Sequence, residues 1–124
     1  MLRMILVLVV TMLVLDAAWL ALRSSASSAM IAALQGSALR LRWIPSVLVY
    51  AVMAAGVYWF AVRSSDTWKD AAVSGAALGF VVYGVYDLTN YATLARYPLD
   101  YALADWLWGT FLFATTAAVA VAAK

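Results

Sequence analysis

The chain has 124 residues, 68% of them hydrophobic and 11% charged, and its mean hydropathy is +0.95, whereas soluble domains contain only about 45–50% apolar residues. This composition excludes an ordinary soluble fold and indicates an integral membrane protein. Cysteine and histidine are absent, which excludes disulfides, thiolate nucleophiles and histidine-ligated haem. The net charge of +2 is typical of basic membrane ends rather than of nucleic-acid binding.

Four apolar stretches are each long enough to cross a membrane. They cover residues 2–22, 44–62, 70–94 and 99–122. About 20 helical residues cross a hydrocarbon core of roughly 30 Å. The sequence therefore predicts one membrane domain over residues 1–124, an all-α bundle of four transmembrane helices that run up, down, up and down.

The first stretch carries Asp16 and Trp19, which are three residues apart and share a helix face. Its apolar run is longer than the hydrophobic region of a secretion signal, so we interpret it as a retained span. The serine-rich residues 23–29 predict a loop, and residues 30–34 predict a short surface helix that Gly36 ends.

The second stretch follows Arg40, Arg42 and Trp43, residue types that mark a membrane interface. Pro45 fits the first helical turn, where its missing N–H is not needed. The apolar interior of this stretch contains no Asp, Glu, Lys or Arg, and Tyr50 is its first polar side chain at depth.

The third stretch begins at a Thr67-x-x-Asp70 pattern that predicts a helix N-cap. Small residues at regular spacing then predict close approach of a neighbouring helix; they are Gly75, Gly79 and Gly84. The second half places polar and aromatic side chains on one helix face; they include Tyr83, Asp87, Asn90 and Tyr91. An aspartate at membrane depth is by default a functional-site hypothesis.

The connector around Arg96 and Pro98 is short, which predicts that the last two helices are antiparallel neighbours. The fourth stretch then carries Asp105 and Trp108 on one face. Asp105-x-x-Trp108 repeats the pattern that Asp16 begins in the first stretch.

Three aspartates on different helices are predicted to lie at one depth. Asp16, Asp87 and Asp105 are each roughly six or seven residues from a helix end on the same side, which places them about 9–10 Å below that surface, level with Tyr50. Isolated carboxylates are not tolerated there, so we expect them to share protons, accept hydrogen bonds from Tyr, Trp, Asn or Thr, or bind a cation. Basic residues on that side are candidate ion-pair partners, namely Arg23, Arg40, Arg42 and Arg96.

Three strings of the sequence together resemble one family. They are Asp16-x-x-Trp19, the string YDLTNYATL at residues 86–94, and Asp105-x-x-Trp108-Gly109. In these motifs the chain resembles the DUF2177 family of small four-helix membrane proteins, and the resemblance covers essentially the whole chain. It implies a fold and a set of motifs, and it carries no activity with it.

Proton- or cation-linked transport or permeation of a small molecule is the function that these residues favour. A chain this short leaves little room for alternating access, so a homo-oligomer is expected. The predicted ligand- or proton-binding residues are Asp16, Asp87, Asp105, Asn90, Tyr50, Trp19, Trp108, Tyr83, Tyr91 and Arg96.

Two alternatives stay open. One is an accessory or structural membrane subunit whose Gly75 and Gly79 face packs on a partner protein. The other is an intramembrane acid–base enzyme acting on a lipid or isoprenoid, although we lean against an enzyme and assign no catalytic residue. We expect no cofactor, metal or nucleic-acid partner, contacts with membrane lipid and with its own copies or another membrane protein, and a location in the cell (inner) membrane with both termini in the cytoplasm.

Overall fold

The computed structural model describes residues 1–37 and 42–124, and these form four membrane-length helices. They are α1 (Leu2–Gln35), α2 (Trp43–Val57), α3 (Trp68–Thr93) and α4 (Leu99–Ala122), with α2 continuing directly as one turn of π-helix (Tyr58–Val62). The prediction of an all-α bundle of four transmembrane helices is confirmed. Predictions that involve Arg40 lie outside the described residues.

The first helix is longer than the sequence predicted. α1 has 34 residues and a length of about 51 Å, so it extends well beyond a hydrocarbon core of roughly 30 Å. The predicted loop at residues 23–29 and the separate surface helix after it are wrong, because the serines find partners without leaving the helix. Ser24 donates to the Ala21 carbonyl at 3.1 Å, and Ser27 shares a 2.7 Å hydrogen bond with the Tyr101 hydroxyl.

Two helix ends follow the capping signals in the sequence. Gly36 ends α1 in the left-handed conformation, with φ of 73°, and its N–H donates to the Ala32 carbonyl. Thr67 precedes α3, and its hydroxyl accepts from the Asp70 N–H at 3.1 Å. Local side-chain chemistry therefore sets these boundaries.

The last residue of the chain contacts the end of the second span. The Lys124 ammonium donates to the carbonyls of Val62, at 3.3 Å, and Ser65, at 2.8 Å. Carbonyls at a helix C-terminus lack partners within the helix, and a lysine supplies both hydrogen bonds and favourable charge. This contact joins α4 to the π-helical turn that follows α2.

Helices α3 and α4 form the closest pair in the bundle. A Cβ atom on Gly75 would clash with the Phe113 carbonyl, and one on Gly79 would clash with the Gly109 carbonyl. On the other side of the contact, the Tyr83 ring lies directly against Gly109. We call this contact the glycine seam. It occupies the Gly75 and Gly79 face that the accessory-subunit alternative assigned to a partner protein.

The seam continues toward the polar half of α3. Gly84 lies against the Trp106 indole, whose Nε1 would be 2.9 Å from a Cβ at that position. The same Nε1 donates to the Phe80 carbonyl at 2.8 Å. An indole N–H in hydrocarbon needs an acceptor, and the absence of a side chain on Gly84 lets it reach one.

Apolar side chains fill the half of the bundle that contains both chain ends. The core there includes Leu8, Met12, Val57, Val62, Leu112, Phe113 and Ala117. The outward faces are apolar as well, with exposed side chains such as Leu6, Val10, Val52, Phe60, Val73, Val81, Leu107 and Phe111. Helices that are apolar all round are typical of a membrane bundle.

We expect Gly79→Ala to lower the free energy of unfolding by about 1–3 kcal/mol, because its methyl group would overlap the Gly109 carbonyl and force α3 and α4 apart. Gly56→Ala is the matched control, since a Cβ there would meet Leu78 at an ordinary 3.9 Å. Unfolding of the purified protein in lipid–detergent bicelles gives both values. Equal losses in the two variants would contradict the glycine seam.

Candidate functional site

Asp16 on α1 accepts hydrogen bonds from two other helices. Its side chain is buried, with 7% of its surface exposed. The Tyr50 hydroxyl of α2 donates to one carboxylate oxygen, and the Trp108 indole N–H of α4 donates to the other at 3.0 Å. Asp16 therefore connects three of the four helices.

The two Asp-x-x-Trp patterns of the sequence meet each other in space. The rings of Trp19 and Trp108 are stacked, with centroids 4.9 Å apart and planes 4° from parallel. The Trp108 N–H donates to Asp16, while the Trp19 side chain lies close enough to Asp105 to interact with its carboxyl group. Each tryptophan thus contacts the aspartate of the other helix of the pair α1 and α4. We call these four residues the Asp–Trp clasp.

Asp87 on α3 is fully buried. The Tyr97 hydroxyl donates to its Oδ1 atom at 3.1 Å, and its carboxyl group interacts directly with that of Asp105 on α4. Its Oδ2 atom is buried and has no hydrogen-bond donor within residues 1–37 and 42–124.

Arg23 lies over aromatic rings at the outer edge of this layer. Its guanidinium carbon is 5.4 Å from the centre of the Trp19 ring and 5.0 Å from that of Tyr101, within the range of a cation–π interaction. Its charge also acts on Asp105. Tyr101 in turn meets Tyr97 edge to face, with centroids 5.8 Å apart.

Most of the predicted site residues lie in this acidic layer, which contains Asp16, Trp19, Tyr50, Asp87, Asn90, Asp105 and Trp108. Asn90 is half-buried and lies close to Tyr86 and Tyr97. The layer therefore joins side chains from all four helices.

Three predicted residues lie outside the acidic layer. The Tyr83 ring packs on Gly109, and its hydroxyl faces the Met53 sulfur at 3.8 Å. Tyr91 is 45% exposed on the outer face of α3, and Arg96 is exposed in the connector after it. The side chains of Tyr91 and Arg96 are not brought to the carboxyl groups, whereas Tyr83 lies beside the layer, where the charges of its three aspartates act on it.

The sequence reading missed several members of the layer. Tyr97 was assigned only to a connector, and Ser27 to a loop, yet Tyr97 binds Asp87 and Ser27 binds the Tyr101 hydroxyl. A signal was present for Tyr101, which precedes Asp105 by four residues on α4, the spacing of one helix face. Tyr97 lies before this helix, so helical spacing could not place it.

Residues 1–37 and 42–124 contain no group of three His, Cys, Asp or Glu side chains placed to hold a metal ion. The acidic layer is instead packed by its own aromatic rings. An apolar groove between α1 and α2 lies nearer the other surface, lined by Ile5, Leu8, Val9, Ala54, Ala55 and Tyr58.

Four membrane-length helices around a buried acidic and aromatic layer define a small multi-pass integral membrane protein. Over residues 1–122 the chain matches the model of a family described as a predicted membrane protein, DUF2177. The chain belongs to this family, as its motifs indicated. No curated protein and no solved structure matches it.

We expect Tyr50→Phe to lower the free energy of unfolding by about 1–3 kcal/mol, because one oxygen of the buried Asp16 loses its donor. Tyr58→Phe is the control, since Tyr58 lies later in the same span and lines the apolar groove. Unfolding in bicelles measures both. The assigned hydrogen bond would be refuted by a loss at Tyr58 as large as that at Tyr50.

Burial raises the pKa of the Tyr97 hydroxyl above its ordinary value of 10.0, and the nearby Asp87 carboxyl acts in the same direction. The folded protein therefore holds this proton more tightly than the unfolded chain does. The resulting stability is fully present below about pH 10 and is lost as the pH rises further.

We accordingly expect the free energy of unfolding to fall above about pH 10, and to fall less steeply in Tyr97→Phe. Tyr91→Phe, which changes an exposed tyrosine on α3, should keep the wild-type pH profile. Unfolding in bicelles across this pH range tests the expectation, and identical profiles for wild type and Tyr97→Phe would contradict it.

Proposed function

We propose that this protein is a small proton-linked transport or permeation protein, and that its exchangeable proton lies between Asp87 and Asp105. The observation that carries the proposal is the environment of Asp87. This carboxyl group is fully buried, and its second oxygen has no donor in the described part of the chain.

A proton shared between the Asp87 and Asp105 carboxyl groups supplies the hydrogen bond that the buried Asp87 oxygen lacks. An ionised carboxylate only accepts hydrogen bonds, whereas a protonated carboxyl group donates one. Asp105 directly faces Asp87, so one proton converts a repulsive pair into a hydrogen-bonded pair. Two interacting carboxyl groups then titrate as a unit, which supports a role in binding and releasing a proton.

The position of the acidic layer supports access from one side of the membrane. Asp87 lies six residues before the end of α3 and Asp105 six residues after the start of α4, which corresponds to about 9 Å of helix from their connector. Asp16 lies at the same level, because Trp108 of α4 donates to it. Toward the other surface, the bundle is filled by apolar side chains such as Leu8 and Phe113. Passage across the membrane therefore requires helix movement or a second copy of the chain, and we include a homo-oligomer in the proposal.

The proposal also places the protein in the cell membrane with both termini in the cytoplasm. The acidic layer then lies near the opposite face. The accessory-subunit alternative loses its main support, because α4 covers Gly75 and Gly79 within the chain.

Infrared difference spectroscopy of the protein in lipid bilayers tests the shared proton. We expect wild type to show a pH-dependent band of protonated carboxyl, and Asp87→Asn and Asp105→Asn each to remove it. Asp100→Asn is the control, because Asp100 is exposed in the first turn of α4. Within residues 1–37 and 42–124, the other ionisable groups that interact with the pair are Asp16, Arg23, Tyr83, Tyr86 and Tyr97. A band that survives in both variants would overturn the assignment.

Proteoliposomes with an imposed pH gradient test transport. Organic cations, sugars, amino acids and carboxylates are added one class at a time, and a trapped pH dye reports proton movement. We expect one class to discharge the gradient in wild-type and Asp100→Asn vesicles but not in Asp87→Asn vesicles. A gradient that no class discharges would count against transport.

A further inference from the structure

The space between Trp19 and Tyr101 already holds a positive charge. The Arg23 guanidinium lies over both rings, at 5.4 Å and 5.0 Å from their centres. Trp19 is backed by the parallel ring of Trp108. Stacked aromatic faces beside a carboxyl group attract cations that are weakly hydrated, such as guanidinium and alkylammonium groups.

The Arg23 guanidinium is not fully hydrogen-bonded between the two rings. Its Nε atom is buried without a hydrogen-bond partner within residues 1–37 and 42–124. The guanidinium is held by ring faces and by the charge of Asp105. Arg23 lies in the part of α1 beyond the apolar residues 2–22, so its long side chain can swing out to the membrane surface without moving the helix.

The charges in the layer favour a cation over a neutral or anionic ligand. Among the described residues, the layer contains Asp16, Asp87 and Asp105, and Arg23 is the arginine whose charge acts on Asp105. Even with one proton shared between Asp87 and Asp105, the three carboxyl groups keep two negative charges against the one positive charge of Arg23. A charged ligand at this place would meet both ring faces and carboxyl groups.

We propose that the space between Trp19, Tyr101 and Asp105, which Arg23 fills in this structure, is a binding site for an organic cation with a guanidinium or alkylammonium headgroup. Arg23 is the intramolecular occupant that such a ligand displaces. This inference rests on the proposed function in taking the acidic layer as the substrate site, and it names the class of substrate.

The geometry favours an organic cation over a metal ion. Metal ions of the Mg²⁺ and Ca²⁺ type require several oxygen ligands that converge on one point, and residues 1–37 and 42–124 contain no such group. Arg23 itself demonstrates that a planar guanidinium fits between the rings. A ligand with the same headgroup therefore fits the site without a change in the position of the rings.

Equilibrium dialysis of radiolabelled methylguanidinium with the full-length protein in lipid nanodiscs tests the site. We expect Arg23→Ala to bind the probe about tenfold more tightly than wild type, because the variant removes an internal competitor. Arg63→Ala is the matched control, since Arg63 lies 3.7 Å from the Trp59 ring centre, outside the acidic layer. It should bind as wild type does.

A second substitution checks that the rings form the site. Arg23→Ala combined with Trp19→Leu should lose the gained affinity. If Arg23→Ala does not fold, Arg23→Gln, which keeps the aliphatic stem, takes its place with the same expectation. Tighter binding in Arg63→Ala equal to that in the Arg23 variant, or no gain in the Arg23 variant, would overturn the proposal.

The two experiments can reject the cation site and the transport function separately. Binding in nanodiscs without any discharge of a pH gradient in vesicles would leave the cation site standing and reject transport. Discharge by sugars, amino acids or carboxylates, with no methylguanidinium bound to the Arg23 variant, would leave transport standing and reject the cation site.

Discussion

A carboxyl group in hydrocarbon must find its hydrogen bonds within the protein, and the arrangement of these helices depends on that requirement. Asp16 meets it with a hydroxyl from α2 and an indole N–H from α4. The Asp–Trp clasp adds a second contact between the same two helices, since Trp19 of α1 lies close to Asp105 of α4. Two such contacts fix the register of α1 against α4 more firmly than apolar packing alone.

The glycine seam brings α3 and α4 so close that two carboxyl groups come face to face. Carbonyls of α4 lie where Gly75 and Gly79 would otherwise carry a Cβ atom, and the same approach places Asp87 against Asp105. Like groups in contact destabilise a bundle unless a proton or cation lies between them. Tight packing and an acidic pair on the same two helices are therefore the main reason to assign function to this layer.

The long first helix gives the acidic layer its outer cover. Because α1 continues through its serines to Gln35, Arg23 stays on the helix face that carries Asp16 and Trp19. Ser27, one turn further, reaches the Tyr101 hydroxyl. A loop at these residues would have freed the arginine, whereas the continuous helix holds its charge over the aromatic rings.

The sequence by itself determined the four membrane-length helices and the Thr67 cap of α3, because hydropathy and capping are local properties. Counting along the helices also placed Asp16 level with Tyr50, and the hydrogen bond between them agrees. The length of α1 was not determined in this way, because its serines stay helical up to Gln35. Only the tertiary structure decided that Trp108 contacts Asp16 and Trp19 contacts Asp105. It also decided that Tyr97 donates to Asp87, and that Tyr91 and Arg96 lie outside the acidic layer. Those outcomes depend on how each helix rotates and tilts against its neighbours, which the close contacts at glycine determine and the spacing along one chain does not record.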